Sequence, residues 1–72
     1  MTGRVKRIIR DRGFGFIRAE NGDDIFFNRS NLEEEDFNAL EEGTAVEFFL
    51  MEGPKGLQAL SVRTMKLQQR TS

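Results

Sequence analysis

The sequence predicts an all-β fold, a five-stranded antiparallel barrel, and three features of the 72 residues point to it. Short apolar or alternating runs are separated by turn residues about every eight to twelve positions. No segment sustains a helical repeat of apolar residues. A chain of this length forms one small domain, and closing its strands into a barrel removes the unpaired edges that an open sheet would expose.

The elements follow in order. Residues 3–10 make a first strand with Val5 inward, and Asp11, Arg12 and Gly13 form a tight connection. Over residues 14–19 strict alternation sets Phe14, Phe16 and Arg18 on one face and Gly15, Ile17 and Ala19 on the other. Glu20, Asn21, Gly22 and Asp23 make a hairpin turn around the strong Asn-Gly signal. In the third strand, residues 24–28, Asp24, Phe26 and Asn28 share the outward face and Ile25 and Phe27 the core face. Residues 29–43 are irregular, with Ser30 placed to cap one helical turn through Leu32, and with Leu32, Phe37 and Leu40 tacking the segment to the body. A fourth strand over residues 44–52 turns Val46, Phe48 and Leu50 inward and Glu47, Phe49 and Met51 outward. Gly53, Pro54, Lys55 and Gly56 form a turn. The fifth strand runs from Leu57 to about Met65 with Leu60 and Val62 inward, and residues 66–72 are expected to fray. The whole chain, 1–72, reads as a single OB-like barrel.

Composition narrows the function. There is no cysteine, so no disulfide or thiolate metal site supplements the core, and no histidine, which with cysteine supplies the commonest nucleophile, general-base and transition-metal chemistry. Glu33, Glu34, Glu35 and Asp36 lack the spaced ligands and turn glycine of a calcium loop, and Gly13 and Gly15 are not followed by the Lys-Ser or Lys-Thr of a phosphate loop. A non-catalytic protein without metal, cofactor or small-molecule substrate is expected. The start carries Arg4, Lys6, Arg7 and Arg10 and no apolar run, so no secretory leader is expected, and no stretch is long and apolar enough for a membrane helix. A cytoplasmic monomer is the expectation. Net charge is only −1, but the charges are segregated: residues 1–30 hold seven bases and four acids, residues 31–52 eight acids and no base, and residues 53–72 four bases and no acid. Such a chain can fold into a basic face with an acidic rim.

Phe14 and Phe16 from one strand and Phe26 from its hairpin partner fall side by side on a face that the alternation marks as outward. Exposed rings cost solubility and need a reason. Unpaired bases supply one, stacking on aromatic side chains while cations hold the phosphates, and Lys6, Arg7, Arg12, Arg18, Arg29 and Lys55 are available cations. Gly13 and Gly15, interleaved with the rings, allow close approach of a ligand or a sharp bend of the barrel. The alternatives are a second apolar layer beneath the acidic loop, or a dimer interface.

Arg12-Gly13-Phe14-Gly15-Phe16-Ile17 resembles the first ribonucleoprotein motif of the cold-shock domain family, and Asp24-Ile25-Phe26-Phe27-Asn28 resembles its second. Gly3-Arg4-Val5-Lys6, Leu40-Glu41-Glu42-Gly43, Val46-Glu47-Phe48 and Gly53-Pro54-Lys55-Gly56 fall at the family's spacing, so the resemblance covers roughly residues 3–63. It implies a five-stranded OB barrel with single-stranded RNA or DNA across the second and third strands. It also implies base stacking on Phe14, Phe16 and Phe26, a phosphate or base contact from Lys6, a stacking place for Phe37, and hydrogen bonds from a base edge to Asp24. The family usually has tryptophan at Arg7, histidine at Asn28 and phenylalanine at Arg29. Two of these replacements are arginines, whose planar guanidinium can both stack and contact phosphate. RNA-recognition motifs share the Arg-Gly-Phe-Gly-Phe core, but they need two packed helices for which this chain has no sequence, and Ala19 stands where they want an aromatic. Two functions follow from these residues: a single-strand binder acting as RNA chaperone or cold-shock-type regulator, or a protein-interaction module in which the acidic loop, Phe49 and Met51 meet a partner.

Overall fold

Five strands, β1 (Thr2–Ile9), β2 (Phe14–Ala19), β3 (Asp24–Asn28), β4 (Ala45–Gly53) and β5 (Gly56–Thr64), close into a barrel in the order β1-β2-β3-β5-β4. The structure is a computed structural model that describes residues 1–33 and 37–65. The fraying expected of 66–72 and most of the acidic run, 34–36, lie outside the described residues. Single 3₁₀ turns at Arg29–Asn31 and Phe37–Ala39 are the helical elements among the described residues. Pairing is antiparallel except at β3–β5, where Phe26 and Gln58 meet in a parallel bridge. The long connection between β3 and β4 brings the chain around the barrel to make that closure.

The barrel is filled by Val5, Ile17, Ile25, Phe27, Val46, Phe48, Ala59 and Val62, and Phe37 and Leu40 from the connection plug its open end. Alternation in β2 and β3 is as the sequence predicts: Ile17, Ala19, Ile25 and Phe27 are buried, and Phe14, Phe16 and Phe26 point outward. Gly15 faces inward, and a Cβ there would lie 2.5 Å from the Arg7 carbonyl oxygen and 2.9 Å from the Phe27 ring. Its lack of a side chain therefore serves the packing of Phe27 rather than the approach of a ligand. Gly13, at φ 77°, makes the left-handed turn into β2, its N–H donating to the Ile9 carbonyl at 2.9 Å.

Two β-bulges set the faces where simple alternation fails. Val5 pairs with Ile17 but Arg7 pairs with Phe16, so Lys6 is an extra residue in β1. Without it, Arg7 would share Val5's inward face; with it, Arg7 points outward beside Phe16 and Ile8 turns toward the core. The second bulge lies in β5, where Glu47 pairs with Arg63 but Phe49 with Leu60, and Ser61 adopts a left-handed φ of 51°. The buried pair is consequently Ala59 and Val62, and Leu60, expected inward, joins Phe49 on the outer face.

Leu50, also expected inward, is 43% exposed. β1 pairs with β4 only over Ala45–Glu47, so the far half of the β4–β5 hairpin runs past the barrel, and Leu50 sits over the small Ala59. The turn through Arg29–Asn31 is capped by Asn28 rather than Ser30: Asn28 Oδ1 accepts from the Ser30 N–H at 3.2 Å, and Asn31 Oδ1 accepts from the Asn28 N–H at 2.9 Å. This reciprocal pair satisfies donors that the ladder leaves free as β3 ends.

Candidate nucleic-acid interface

The pairing register builds the site directly. Phe16 stands opposite Phe26 and Phe14 opposite Asn28 across β2–β3, with Arg7 and Ile9 alongside Phe16 and Phe14 in β1. The three rings are in mutual contact, with centroids 5.5 Å apart for Phe14–Phe26, 6.0 Å for Phe16–Phe26 and 6.1 Å for Phe14–Phe16, the last two edge-on. Each ring is half-buried because its neighbours shield it, which makes a fixed apolar platform rather than three loose side chains.

Cations and clefts flank this platform on both sides. One cleft, about 450 Å³, is bounded by Phe16, Phe26, Pro54, Lys55, Leu57 and Gln58. The other lies against Phe14 and Phe16 and is lined by Arg7, Ile9, Asp11 and Arg12. Among the described residues Arg7, Arg12 and Lys55 form no ion pair, so their charge is available. Among the described residues, the acids Glu33, Glu41, Glu42, Glu47 and Glu52 line neither cleft.

Lys6 and Asp24 are close together but engaged. Lys6 Nζ donates to Asp24 Oδ2 at 2.9 Å and Arg18 Nε to Oδ1 at 2.6 Å. The Lys6 hydrogen bond first, and the Arg18 one second, hold the Asp24 carboxyl below its ordinary value. A base edge reaching Asp24 has to share it with these donors. Asn28 and Arg29, with Asp11, Arg12 and Gly13, line a smaller cleft beyond Phe14. Phe37 does not join the platform: it is 4% exposed, packs on Phe27 at 6.2 Å between centroids, and is covered by the Arg29 guanidinium. Its expected stacking face is turned into the core. Ile9 and Gln58 line the clefts beside the rings, and the sequence did not single them out; the β1 bulge and the parallel β3–β5 bridge place them, and neither leaves a local signature.

A small closed β-barrel whose outer face carries an aromatic platform between unpaired cations has the layout of an OB-type nucleic-acid-binding module. A family profile described as "'Cold-shock' DNA-binding domain" matches residues 1–65, and the chain belongs to that family. It is similar to the cold shock-like protein CspLB of Listeria monocytogenes, 49% identical over 85% of this chain and 92% of the relative. It is likewise similar to the cold shock-like protein CspC of Bacillus cereus, 45% identical over 86% of this chain and 95% of the relative. Among solved structures, drosophila Unr CSD456 matches with a TM-score of 0.73 at 21% identity, over 97% of this chain and 28% of that one, a likeness of fold.

Proposed function

We propose that the protein binds single-stranded RNA or DNA, stacking unpaired bases on Phe14, Phe16 and Phe26 while Arg7, Arg12 and Lys55 neutralise phosphates. It acts in the cytoplasm as an RNA chaperone or cold-shock-type regulator, keeping weak secondary structure open by holding the unpaired strand, with no chemistry performed on it. The observation that carries this reading is the contiguous three-ring platform with unpaired cations in the clefts on both sides. A duplex hides its base faces, so the mechanism requires discrimination against paired strands.

Fluorescence anisotropy with end-labelled oligonucleotides tests it. Tight binding to a single strand, weak binding to the duplex of the same sequence and affinity that falls with salt are expected. Equal or tighter binding to duplex contradicts the stacking mechanism. One observation favours a second reading, a protein-interaction module: Phe49 is 71% exposed and Met51 38%, on the outer face of β4. Absence of any salt-dependent binding to single strands selects that reading.

A further inference from the structure

The strand register draws rows of outward residues across β1, β2 and β3, and these rows continue past the rings. Ile9, Phe14 and Asn28 form one row and Arg7, Phe16 and Phe26 the next; the outward row after that is Arg4, Arg18 and Asp24, which carries no ring. We propose, resting on the single-strand reading above, that Arg4 and Arg18 together hold a backbone phosphate of the strand where it leaves the platform past Phe16 and Phe26.

The two arginines are direct partners in the β1–β2 register, and both are exposed. Side chains so placed have Cβ atoms about 4.5–5.5 Å apart, and like charges there destabilise a strand pair. A carboxylate between them would relieve the repulsion, but the one in this row is divided. Asp24 accepts from Arg18 Nε through Oδ1 at 2.6 Å and from Lys6 Nζ through Oδ2 at 2.9 Å. Arg4 Nη1 donates to the Gly43 carbonyl at 2.9 Å and has no ion pair among the described residues. Glu20, the other acid beside the two arginines, accepts from the Thr2 hydroxyl. Three cations, Arg4, Lys6 and Arg18, thus face two carboxylates, and one positive charge is left over.

Donors are left over as well. A guanidinium has five N–H groups and an ammonium three, and each of these cations spends one on the bonds above. Those bonds hold the side chains in place, so the row offers an approaching strand a set of fixed donors suited to phosphate oxygens. A concavity to receive the phosphate adjoins it: a cleft of about 490 Å³ lined by both arginines together with Thr2, Gly3, Ala19 and Glu20. Two residues of antiparallel strand advance about 7 Å, which puts Arg18 next to the ring row, within reach of the linkage adjoining a base on Phe16 or Phe26. Asp24 is then a positioning residue that aims Arg18 and Lys6, with its own acceptors already occupied.

A methylphosphonate scan tests this proposal. A single-stranded DNA of about eight nucleotides, within the site size of one OB fold, carries one neutral linkage at each position in turn and is titrated into the wild type and into Arg4→Gln, Arg18→Gln and Arg18→Lys. One phosphate contact contributes roughly 0.7 to the salt slope, which makes it worth about fivefold at ~0.1 M salt relative to ~1 M. A loss of that order is expected in the wild type at the linkage over this row. Each glutamine variant is expected to lower the slope by roughly 0.7 and to silence that same linkage while the other linkages keep their losses. Arg18→Lys, which retains the charge, keeps the loss. Both arginines are exposed, so these substitutions leave the core intact. If Arg4→Gln and Arg18→Gln do not silence one and the same linkage, the shared phosphate site is overturned, Arg18 serves only its ion pair with Asp24, and the three-ring platform still stands. A wild type that binds no single strand overturns both.

Discussion

Phe16→Ala separates the binding face from the core. Phe16 is half-buried and meets Phe14 and Phe26 at ring separations of 6.1 and 6.0 Å. Each aromatic pair contributes about 0.5–1.5 kcal/mol beyond area burial, so losing both pairs is expected to cost the fold about 1–3 kcal/mol. For a domain of this size that lowers Tm by roughly 4–24 °C. Phe48 is 3% exposed within the barrel, and truncating such a ring costs about 3–5 kcal/mol, a large share of the about 5–15 kcal/mol that holds a small domain together. Binding reverses the order. Loss of a stacking ring at position 16 weakens single-strand affinity by about 1–3 kcal/mol, whereas Phe48 lines neither cleft beside the rings. Thermal melts followed by circular dichroism and anisotropy titrations at a temperature where both variants are folded measure the two effects. A Phe16→Ala protein that melts as low as Phe48→Ala, or that binds as tightly as wild type, refutes the assignment of this face.

Other consequences follow from the same geometry. Arg7→Gln is expected to lower the salt slope on single strands by roughly 0.7, the value for one phosphate contact, while Arg7→Trp flattens the slope but keeps affinity because a ring replaces the charge; both are read from titrations at several salt concentrations. The Asp24 carboxyl is expected to titrate below 3.8 by NMR, and Lys6→Met and Arg18→Met should each return it toward that value. Because its folded-state value is the lower one, the stabilisation from this cluster is present above the unfolded value and is lost as pH falls through the folded one. Gly15→Ala is expected to destabilise by about 1–3 kcal/mol in chemical denaturation, since its methyl meets the Arg7 carbonyl oxygen and the Phe27 ring. A gain in stability there would contradict the close packing at that point.

The parts of this protein that sequence alone makes legible are those governed by local rules. Strict alternation in β2 and β3 correctly separates Ile17, Ile25 and Phe27 from Phe14, Phe16 and Phe26, and the Asn21-Gly22 turn fixes how those faces meet. The Gly22 N–H donates to the Ala19 carbonyl at 2.9 Å, and Asn21 Oδ1 accepts from the Asp23 N–H at 3.0 Å. Bulges break the same rule elsewhere. One extra residue at Lys6 turns Arg7 outward, and one at Ser61 exchanges Leu60 for Ala59 in the core. Neither insertion has a sequence mark, because each exists to let strands bend around a closed barrel. Leu50 is misplaced by alternation because the extent of β1–β4 pairing is a tertiary fact. The same holds for Phe37: its family position implies a base contact, and only the fold shows Arg29 above it and Arg10 holding its backbone.

The β1 bulge also links fold to function. It places a cation at the edge of the ring platform in the position where the family usually carries tryptophan, so Arg7 flanks Phe16 across the strand pair. Charge and stacking are thus adjacent on one face, and among the described residues Glu33, Glu41, Glu42, Glu47 and Glu52 lie outside the clefts that flank it. On the proposed reading, a strand drawn along this face meets both terms of single-strand affinity at once.

Chemical-shift mapping with a single-stranded oligonucleotide tests this placement most directly. Titration into isotope-labelled protein is expected to shift the ring resonances of Phe14, Phe16 and Phe26, and the backbone amides of Arg7, Arg12 and Lys55, in a saturable manner. Phe49, Met51 and the β4 amides around them should stay in place. Shifts confined to Phe49 and Met51, with the three-ring platform unmoved, would contradict the account.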